Sequence, residues 1–369
     1  MKTHVRFIAM YLPQFYPIPE NDETWGKGFT EWTNAAKAKP LFKGHYQPRI
    51  PADLGFYDLR VPETRELQAE MAKKYGVEGF MYWHYWFGNG KRLLDRPFDE
   101  VLKTGKPDFP FCLAWANHSW TTKTWTALGQ FQRNKMIVEQ KYPGKDDYIN
   151  HFNTVLPAFK DPRYIKVDGK PLFFLYAPLD SPEIEDFVKT WRELAKKNDI
   201  TDIHFVGLCS SGTPEDFQRI LDIGFDAVAP GYLWYAEEKC MGRKKKVFWN
   251  YLNKKLRLPT PVDKYEYKDI IKYLTTDFDY RENFYPSAIP QWDRSPRSGR
   301  QAVIYHGSTP DLFHELMSEL YNKVKSKSPE HRIIFLRSWN EWGEGNYFEP
   351  DMRYGTKYLE VVKEFFDKQ

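Results

Sequence analysis

Three glutamates crowd one short stretch near the C-terminus, Leu336–Pro350, which reads LRSWNEWGEGNYFEP. Glu341 and Glu344 stand three residues apart and Glu349 follows. A pair of carboxyl groups is what glycosyl transfer uses: one protonates the departing oxygen, and the other acts as base or nucleophile. Retention of configuration needs the two groups roughly 5–5.5 Å apart, and inversion needs a wider gap. Residues three apart at a strand end or in a tight turn meet the shorter separation. Gly343 and Gly345 flank Glu344 and let the backbone bend sharply. One carboxyl must hold a proton near neutral pH. A second negative charge and an apolar wall, here Trp339 and Trp342, both push in that direction. Glu349, in a Glu-Pro-Asp sequence, either fixes the loop or bonds a sugar hydroxyl. The plainer alternative is that Glu341 and Glu344 are loop carboxylates bonding backbone N–H groups. Their position after the apolar run Ile333–Leu336, among Trp and Asn residues, favours the catalytic reading.

Such a pair needs a scaffold. Eight short apolar runs read as strands covered on both faces: Val5–Tyr11, Gly79–Tyr85, Phe111–Ala116, Leu172–Ala177, His204–Leu208, Ala227–Pro230, Ser287–Trp292 and Ile333–Ser338. Helical patterns lie between them. Ser181-Pro182-Glu183, Thr213-Pro214-Glu215 and Thr309-Pro310-Asp311 each place a capping hydroxyl before a proline suited to the first helical turn. Val61-Pro62-Glu63 opens a segment with Leu67, Met71 and Tyr75 on one face. Residues 150–160 and the final stretch carry further helical spacing. Eight strands in strict alternation with eight helices favour a (β/α)₈ barrel over an open doubly wound sheet, and residues 1–369 read as one such α/β domain. No Gly-rich phosphate fingerprint follows the first strand, where YLPQFYP stands instead. The long connections, 12–60, 118–145, 231–264 and 293–308, all follow strands. In a barrel they gather on the C-terminal face.

The strand ends share a character. Strand 2 ends with Tyr82, His84, Tyr85 and Trp86, and strand 3 with Trp115, Asn117, His118 and Trp120. Strand 4 ends at Tyr176, and strand 6 runs into Tyr232 and Trp234. Strand 7 ends with Gln291, Trp292 and Asp293, and strand 8 with Trp339, Asn340 and Glu341. In a barrel these side chains are expected to line one cavity. Aromatic rings beside hydrogen-bonding groups suit the mixed faces of sugars, and aromatics make up 17% of the chain. Part of that excess is core packing. Trp25, Glu31 and Trp32 form either a sugar platform or a loop folded over its own tryptophans.

Other chemistries find less support. The net charge is +4, from 54 basic and 50 acidic residues, which does not point to nucleic acid. Cys112, Cys209 and Cys240 are sparse and without CxxC spacing, so neither a disulfide framework nor a zinc site is expected. His84 and His118, with Asp293 or Glu344, invite a metal reading, but no short ligand spacing supports it, and no metal or cofactor is expected. Asp277-Phe278-Asp279 has the D-x-D shape of metal-dependent transferases, yet it precedes strand 7 and so falls on the wrong face of a barrel. Arg243-Lys244-Lys245-Lys246, followed by aromatics, suits a phosphate or an anionic membrane, although a solvated charge run is the commoner cause. No run approaches the ~20 apolar residues of a membrane span. Residues 1–17 lack a signal-peptide pattern, and with Met1 as the native start the cytoplasm is the expected compartment, while a secreted protein trimmed of its signal peptide would read the same.

Long motifs then carry a resemblance. The stretch AMYLPQFYPIPENDETWGKGFTEWTNAAKAKPLFKGHYQPRIPADLGFYDLR, then GFMYWHYWF, KRLLDRPFDEVL, FPFCLAWAN and SWNEWGEGNYFEPD, together resemble the WbsX family. Members are described as polysaccharide-biosynthesis glycosyltransferases, and the family is similar to glycoside hydrolase family 99, the endo-α-mannosidases and endo-α-mannanases. The match covers nearly the whole chain. It implies a (β/α)₈ barrel and retaining chemistry at an α-mannoside-like centre. Through the N-E-W-x-E-G motif, here Asn340 to Gly345, it implies Glu341 as base on the sugar's own 2-hydroxyl. That hydroxyl would form an anhydrosugar, while Glu344 protonates the leaving oxygen and then activates the acceptor. Relatives commonly read A-N-E-N-W after strand 3. Here Ala116-Asn117-His118-Ser119-Trp120 puts a histidine in place of the carboxylate, which alters one subsite.

The expected function is therefore a carbohydrate-active enzyme on α-linked, mannose-like glycans, of glycosidase type, with an oligo- or polysaccharide as partner. A WbsX-type transferase of surface-polysaccharide biosynthesis is the first alternative, and a glycan-binding barrel without turnover is the second. Length and composition do not set the oligomeric state.

Overall fold

The computed structural model describes residues 4–122, 135–256 and 263–368. Parts of two expected loops, 123–134 and 257–262, lie outside the described residues. Eight parallel strands form the barrel: β1 (Arg6–Tyr11), β2 (Val77–Trp86), β3 (Phe111–Trp115), β4 (Lys170–Leu175), β5 (His204–Cys209), β6 (Ala227–Pro230), β7 (Ser287–Ala288) and β8 (Ile333–Leu336). They pair in the order β6-β5-β4-β3-β2-β1-β8-β7. Val228 N donates to Asn283 O at 2.9 Å, and Tyr285 N donates to Val228 O at 2.9 Å. These bonds join β6 to the residues just before β7 and close the cylinder. Closure leaves no unpaired sheet edge among these strands.

The strands pack on both faces, as their near-continuous apolarity requires. Inside, Phe174 of β4 meets Phe335 of β8 at 5.4 Å and Trp83 of β2 at 6.2 Å between ring centroids. Outside, Trp191 on the helix Ile184–Lys197 is fully buried against Phe173 of β4, 4.7 Å away.

Several local expectations are met in the backbone. Thr213 and Thr309 accept from Asp216 N and Leu312 N, opening the helices Pro214–Asp222 and Pro310–Val324. Others differ. The helix after Ser181 begins three residues later, at Ile184, and the Ser181 hydroxyl is buried with no partner. The helix Pro62–Lys74 buries Arg65, Gln68, Ala69 and Ala72, and leaves Leu67 54% exposed. Polar contacts set its rotation: Arg65 bonds Leu59 O, while Gln68 accepts from Tyr11 Oη at 2.6 Å and donates to Glu349 at 2.6 Å.

Strand 7 is shorter than expected. It ends at Ala288, and Trp292–Asp293 instead pairs antiparallel with Val303–His306 in a separate small sheet. Pro290 has no N–H to continue the barrel ladder. The Asp277–Asp279 motif is a cap: Asp279 is buried and accepts from Thr276 N at 2.8 Å. Among the described residues no helix is long and apolar enough to cross a membrane.

Candidate active site

After β8 the chain makes a small hairpin. Asn340–Glu341 pairs antiparallel with Asn346–Tyr347, and one 3₁₀ turn, Trp342–Glu344, joins them. This turn brings residues three apart side by side. Two glycines make it possible. A Cβ at Gly343 would overlap the Glu31 carboxylate, and Gly345 sits at φ 59° with room for no more than hydrogen beside the Asp293 backbone, 2.9 Å from an added Cβ.

Asn340 anchors the hairpin to the barrel. Its Oδ1 accepts from Leu12 N at 2.7 Å and its Nδ2 donates to Leu12 O at 3.0 Å, which extends the β1–β8 ladder through a side chain. Asn117 does the same between β3 and β4, donating to Ala177 O at 2.7 Å and accepting from Ala177 N at 2.8 Å. These two asparagines serve the backbone and do not line the cavity.

Arg297 organises the acids. Its Nη1 lies 2.6 Å from Glu344 Oε1 and 3.3 Å from Glu341 Oε1, and its Nη2 donates to Glu31 Oε1 at 2.8 Å. A nitrogen at those two distances holds the Glu341 and Glu344 oxygens within about 6 Å of each other, below the inverting separation. Glu31 also accepts from Gly343 N at 2.6 Å. It therefore supports the turn from behind and does not form a sugar platform.

The proton affinities of the pair shift in opposite directions. Burial and the neighbouring Glu344 raise the Glu341 pKa against the pull of Arg297 and Arg337. Burial acts on Glu344 in the same sense, but Arg294, Arg297 and Arg337 outweigh it and hold its pKa below the usual carboxylate value. Arg294 Nη2 is 3.2 Å from Glu344 Oε1. Burial pushes Glu31 up to about 7 despite Arg297.

A cavity of about 480 Å³ opens over the pair. Besides Glu341 and Glu344, its wall carries Tyr85, His118, Trp120, Tyr176, Trp234 and Trp292. His118 lies 4.9 Å from the Tyr176 ring, and burial lowers its pKa, so it is neutral at neutral pH. The wall also holds Trp83, Arg294, Arg297 and Arg337, which sequence reading missed. Trp83 shares strand parity with Tyr85, a usable signal. The arginines follow from charge: a buried acidic cluster needs cations, and three arginines lie within residues 294–300 just beyond strand 7.

The expectation that every strand-end side chain points into one cavity is corrected. Alternation along β2 turns Tyr82, His84 and Trp86 outward to the helices. Tyr82 packs on Phe98 at 5.3 Å, His84 Nε2 is 2.9 Å from His151 Nε2, and Trp86 Nε1 donates to Asp147 at 2.9 Å. Trp115 donates to Trp86 O at 2.9 Å and packs on Phe187. Tyr232 bonds Thr276, 2.7 Å away, and Trp339 is fully buried in the core.

The remaining residues lie off the wall of this cavity. Trp32 donates to Tyr57 O at 2.8 Å and packs on Phe15, and Trp25 packs on Phe29, off the cavity wall. Glu349 is buried and accepts from Gln68, Tyr57 and Trp342, and burial lifts its pKa to about 7. Gln291 and Asp293 border a second pocket of about 190 Å³, where Asp293 accepts from Gln47 at 2.7 Å and meets His45 at 2.8 Å. Among the described residues no group of three or more His, Cys, Asp or Glu side chains is placed to hold a metal ion.

The chain is a (β/α)₈ barrel with a pair of glutamates at its C-terminal mouth, the face on which barrel enzymes place their active sites. More narrowly, the chain belongs to the family described as Glycosyltransferase WbsX, whose model matches residues 7–362. It is 34% identical over 366 residues to the protein WxcX of Xanthomonas campestris pv. campestris strain B100, an alignment covering 97% of this chain and 49% of that protein. A second strain's WxcX is 35% identical over 364 residues. The chain thus spans about half the length of these relatives. Its fold is similar to a glycoside hydrolase family 99 endo-α-mannosidase from Bacteroides thetaiotaomicron, with a TM-score of 0.55 at 16% identity, covering 100% of this chain and 97% of that one. A structure described as a glycoside hydrolase-like protein matches with a TM-score of 0.60 at 14% identity, covering 98% and 94% of the two chains.

Proposed function

We propose that residues 1–369 form one catalytic unit acting with retention on α-linked, mannose-like glycans, with Glu341 and Glu344 as the catalytic pair. The observation that carries this reading is the shared contact with Arg297 Nη1, at 3.3 Å and 2.6 Å, which keeps the two carboxylates too close to admit an inverting water. Trp83, Trp120 and Trp292 line the cavity around them. The fold likeness to an endo-α-mannosidase supports the mannose-like substrate, and the family description supports transfer to a sugar hydroxyl as well as to water.

In the role order the resemblance implies, Glu341 takes the proton of the sugar 2-hydroxyl and O2 attacks the anomeric carbon. The bond to the leaving oxygen breaks as Glu344 protonates it. Glu344 then takes the proton of water or an acceptor hydroxyl, which opens the anhydrosugar and returns the 2-hydroxyl. The free site favours the reverse order, because Glu344 holds charge between two arginines while Glu341 has the raised pKa. An aryl α-glycoside with a good leaving group separates the two. The variant lacking the proton donor regains turnover on it, and the variant lacking the base does not. The charge order favours Glu341→Gln as the rescued variant.

A screen of α-mannosyl and related oligosaccharides, with and without nucleotide-sugar donors, tests the reaction class. Free reducing sugar without a donor supports hydrolysis, and product only with a donor supports the transferase. On the natural glycan, Glu344→Gln is expected to remove turnover and leave binding near wild type. Wild-type rates in that variant would take Glu344 out of the mechanism, and binding without turnover in the wild type would favour a lectin-like barrel.

A further inference from the structure

The helix Arg243–Leu256, RKKKVFWNYLNKKL, carries six basic residues and no acidic one. A soluble helix usually turns its polar side to water. Here Lys244, Val247, Phe248, Tyr251 and Lys255, spaced i, i+3, i+4, i+7 and i+11, share one face, and all five are exposed. Val247, Phe248 and Tyr251 are 62%, 57% and 58% exposed, a contiguous apolar patch with a lysine at each end. Lys255 Nζ reaches Tyr251 Oη at 3.2 Å, so its stem runs along the patch while the ammonium stays at its rim. That is the arrangement by which lysines keep their charge among headgroups while apolar neighbours enter the acyl boundary.

Its place in the fold matters. The preceding helix, Leu233–Met241, contributes Leu233 and Trp234 to the wall of the 480 Å³ cavity, and Gly242 at φ 80° joins the two helices. The basic helix therefore lies in the chain between two contributors to the cavity wall, the helix Leu233–Met241 and Asp263.

We propose that the Arg243–Leu256 helix docks this protein on an anionic lipid bilayer, with Val247, Phe248 and Tyr251 entering the interface and the lysines meeting lipid phosphates. A polyanionic polymer would satisfy the lysines but offers nothing to Val247 and Phe248. Docking holds that stretch of the cavity wall near the bilayer. This consequence, unlike the docking itself, rests on the cavity being the glycan site.

Sedimentation of the full chain with vesicles of phosphatidylcholine, alone and mixed with phosphatidylglycerol, tests the proposal. Wild type is expected to pellet with the mixed vesicles at least roughly tenfold more than with phosphatidylcholine alone, and less at high salt. Val247→Ser/Phe248→Ser/Tyr251→Ser is expected to lose about tenfold in vesicle binding. Because those residues are exposed and off the cavity wall, its melting temperature and its turnover of a soluble substrate should match wild type. No wild-type binding to mixed vesicles, or equal binding by the triple variant, overturns docking. A triple variant that turns from dimer to monomer in ultracentrifugation while vesicles stay unbound overturns it in favour of self-association. Loss of turnover in wild type with vesicle binding retained would count against the glycan reading alone.

Discussion

Arg297 Nη1 donates to Glu344 Oε1 at 2.6 Å, and both residues are buried. The same guanidinium balances Glu31 and Glu341, so one cation serves three carboxylates. Its removal takes the guanidinium from buried Glu31 and leaves Glu341 and Glu344 to Arg294 and Arg337 alone. Arg297→Ala is expected to lose ~3–5 kcal/mol of stability in urea unfolding. Arg297→Lys restores the charge but not the fork that reaches two partners, and should recover part of the loss. A stability unchanged in Arg297→Ala would mean that the acids are not held by this residue.

Glu31 touches the pair only through Arg297 and Gly343, which makes it a positioning residue. With a pKa of about 7 it is ionised under alkaline conditions and raises the proton affinity of its acidic neighbours. Glu31→Gln removes that negative charge, so the Glu341 pKa falls. If Glu341 is the proton donor, the alkaline limb of kcat/KM should move to lower pH by up to about one unit, with KM little changed. An unmoved limb argues against this coupling.

The two anchoring asparagines should separate stability from chemistry. Asn340→Ala leaves Leu12 N and Leu12 O without their partners, a loss of ~1–3 kcal/mol per buried group, and frees the turn that bears Glu341. Both the melting temperature and kcat should fall. Asn340→Asp keeps the acceptor but cannot donate to Leu12 O, and should show a smaller thermal loss. Asn117→Ala, on the other side of the barrel, should lower stability with a smaller effect on kcat.

His84 and His151 meet outside the barrel at 2.9 Å between their Nε2 atoms. Burial lowers the His84 pKa from 6.5 to about 3. A group with a depressed folded pKa resists protonation in the native state, so stability is fully present above pH 6.5 and falls as pH drops toward 3. Each such histidine contributes a slope of ~1.4 kcal/mol per pH unit in that window. Urea unfolding at a series of pH values should show a flatter acid slope for His84→Gln. An identical slope would show that His84 takes up no proton on unfolding.

Much of this molecule was legible in the order of its residues. Apolar runs bounded by turn residues mark all eight barrel strands, because a parallel strand covered on both faces has no polar side to show. Threonine before proline marks the helices at Thr213 and Thr309, because a cap is a local hydrogen bond. The acidic pair was readable because its two members share one short turn flanked by glycine.

What the sequence left open depends on groups far apart in the chain. Whether a strand-end aromatic faces the cavity or the helices is a matter of alternation and tilt, which sends Tyr85 inward and His84 outward from adjacent positions. Asn117 and Asn340 look like ligand groups in sequence, and only the approach of Ala177 and Leu12 makes them extensions of the sheet. Most of all, the proton affinities of Glu341 and Glu344 are set by Arg294, Arg297 and Arg337. Arg294 and Arg297 arrive from beyond strand 7, and no local pattern encodes which carboxylate they hold, because Coulomb forces follow distance in space.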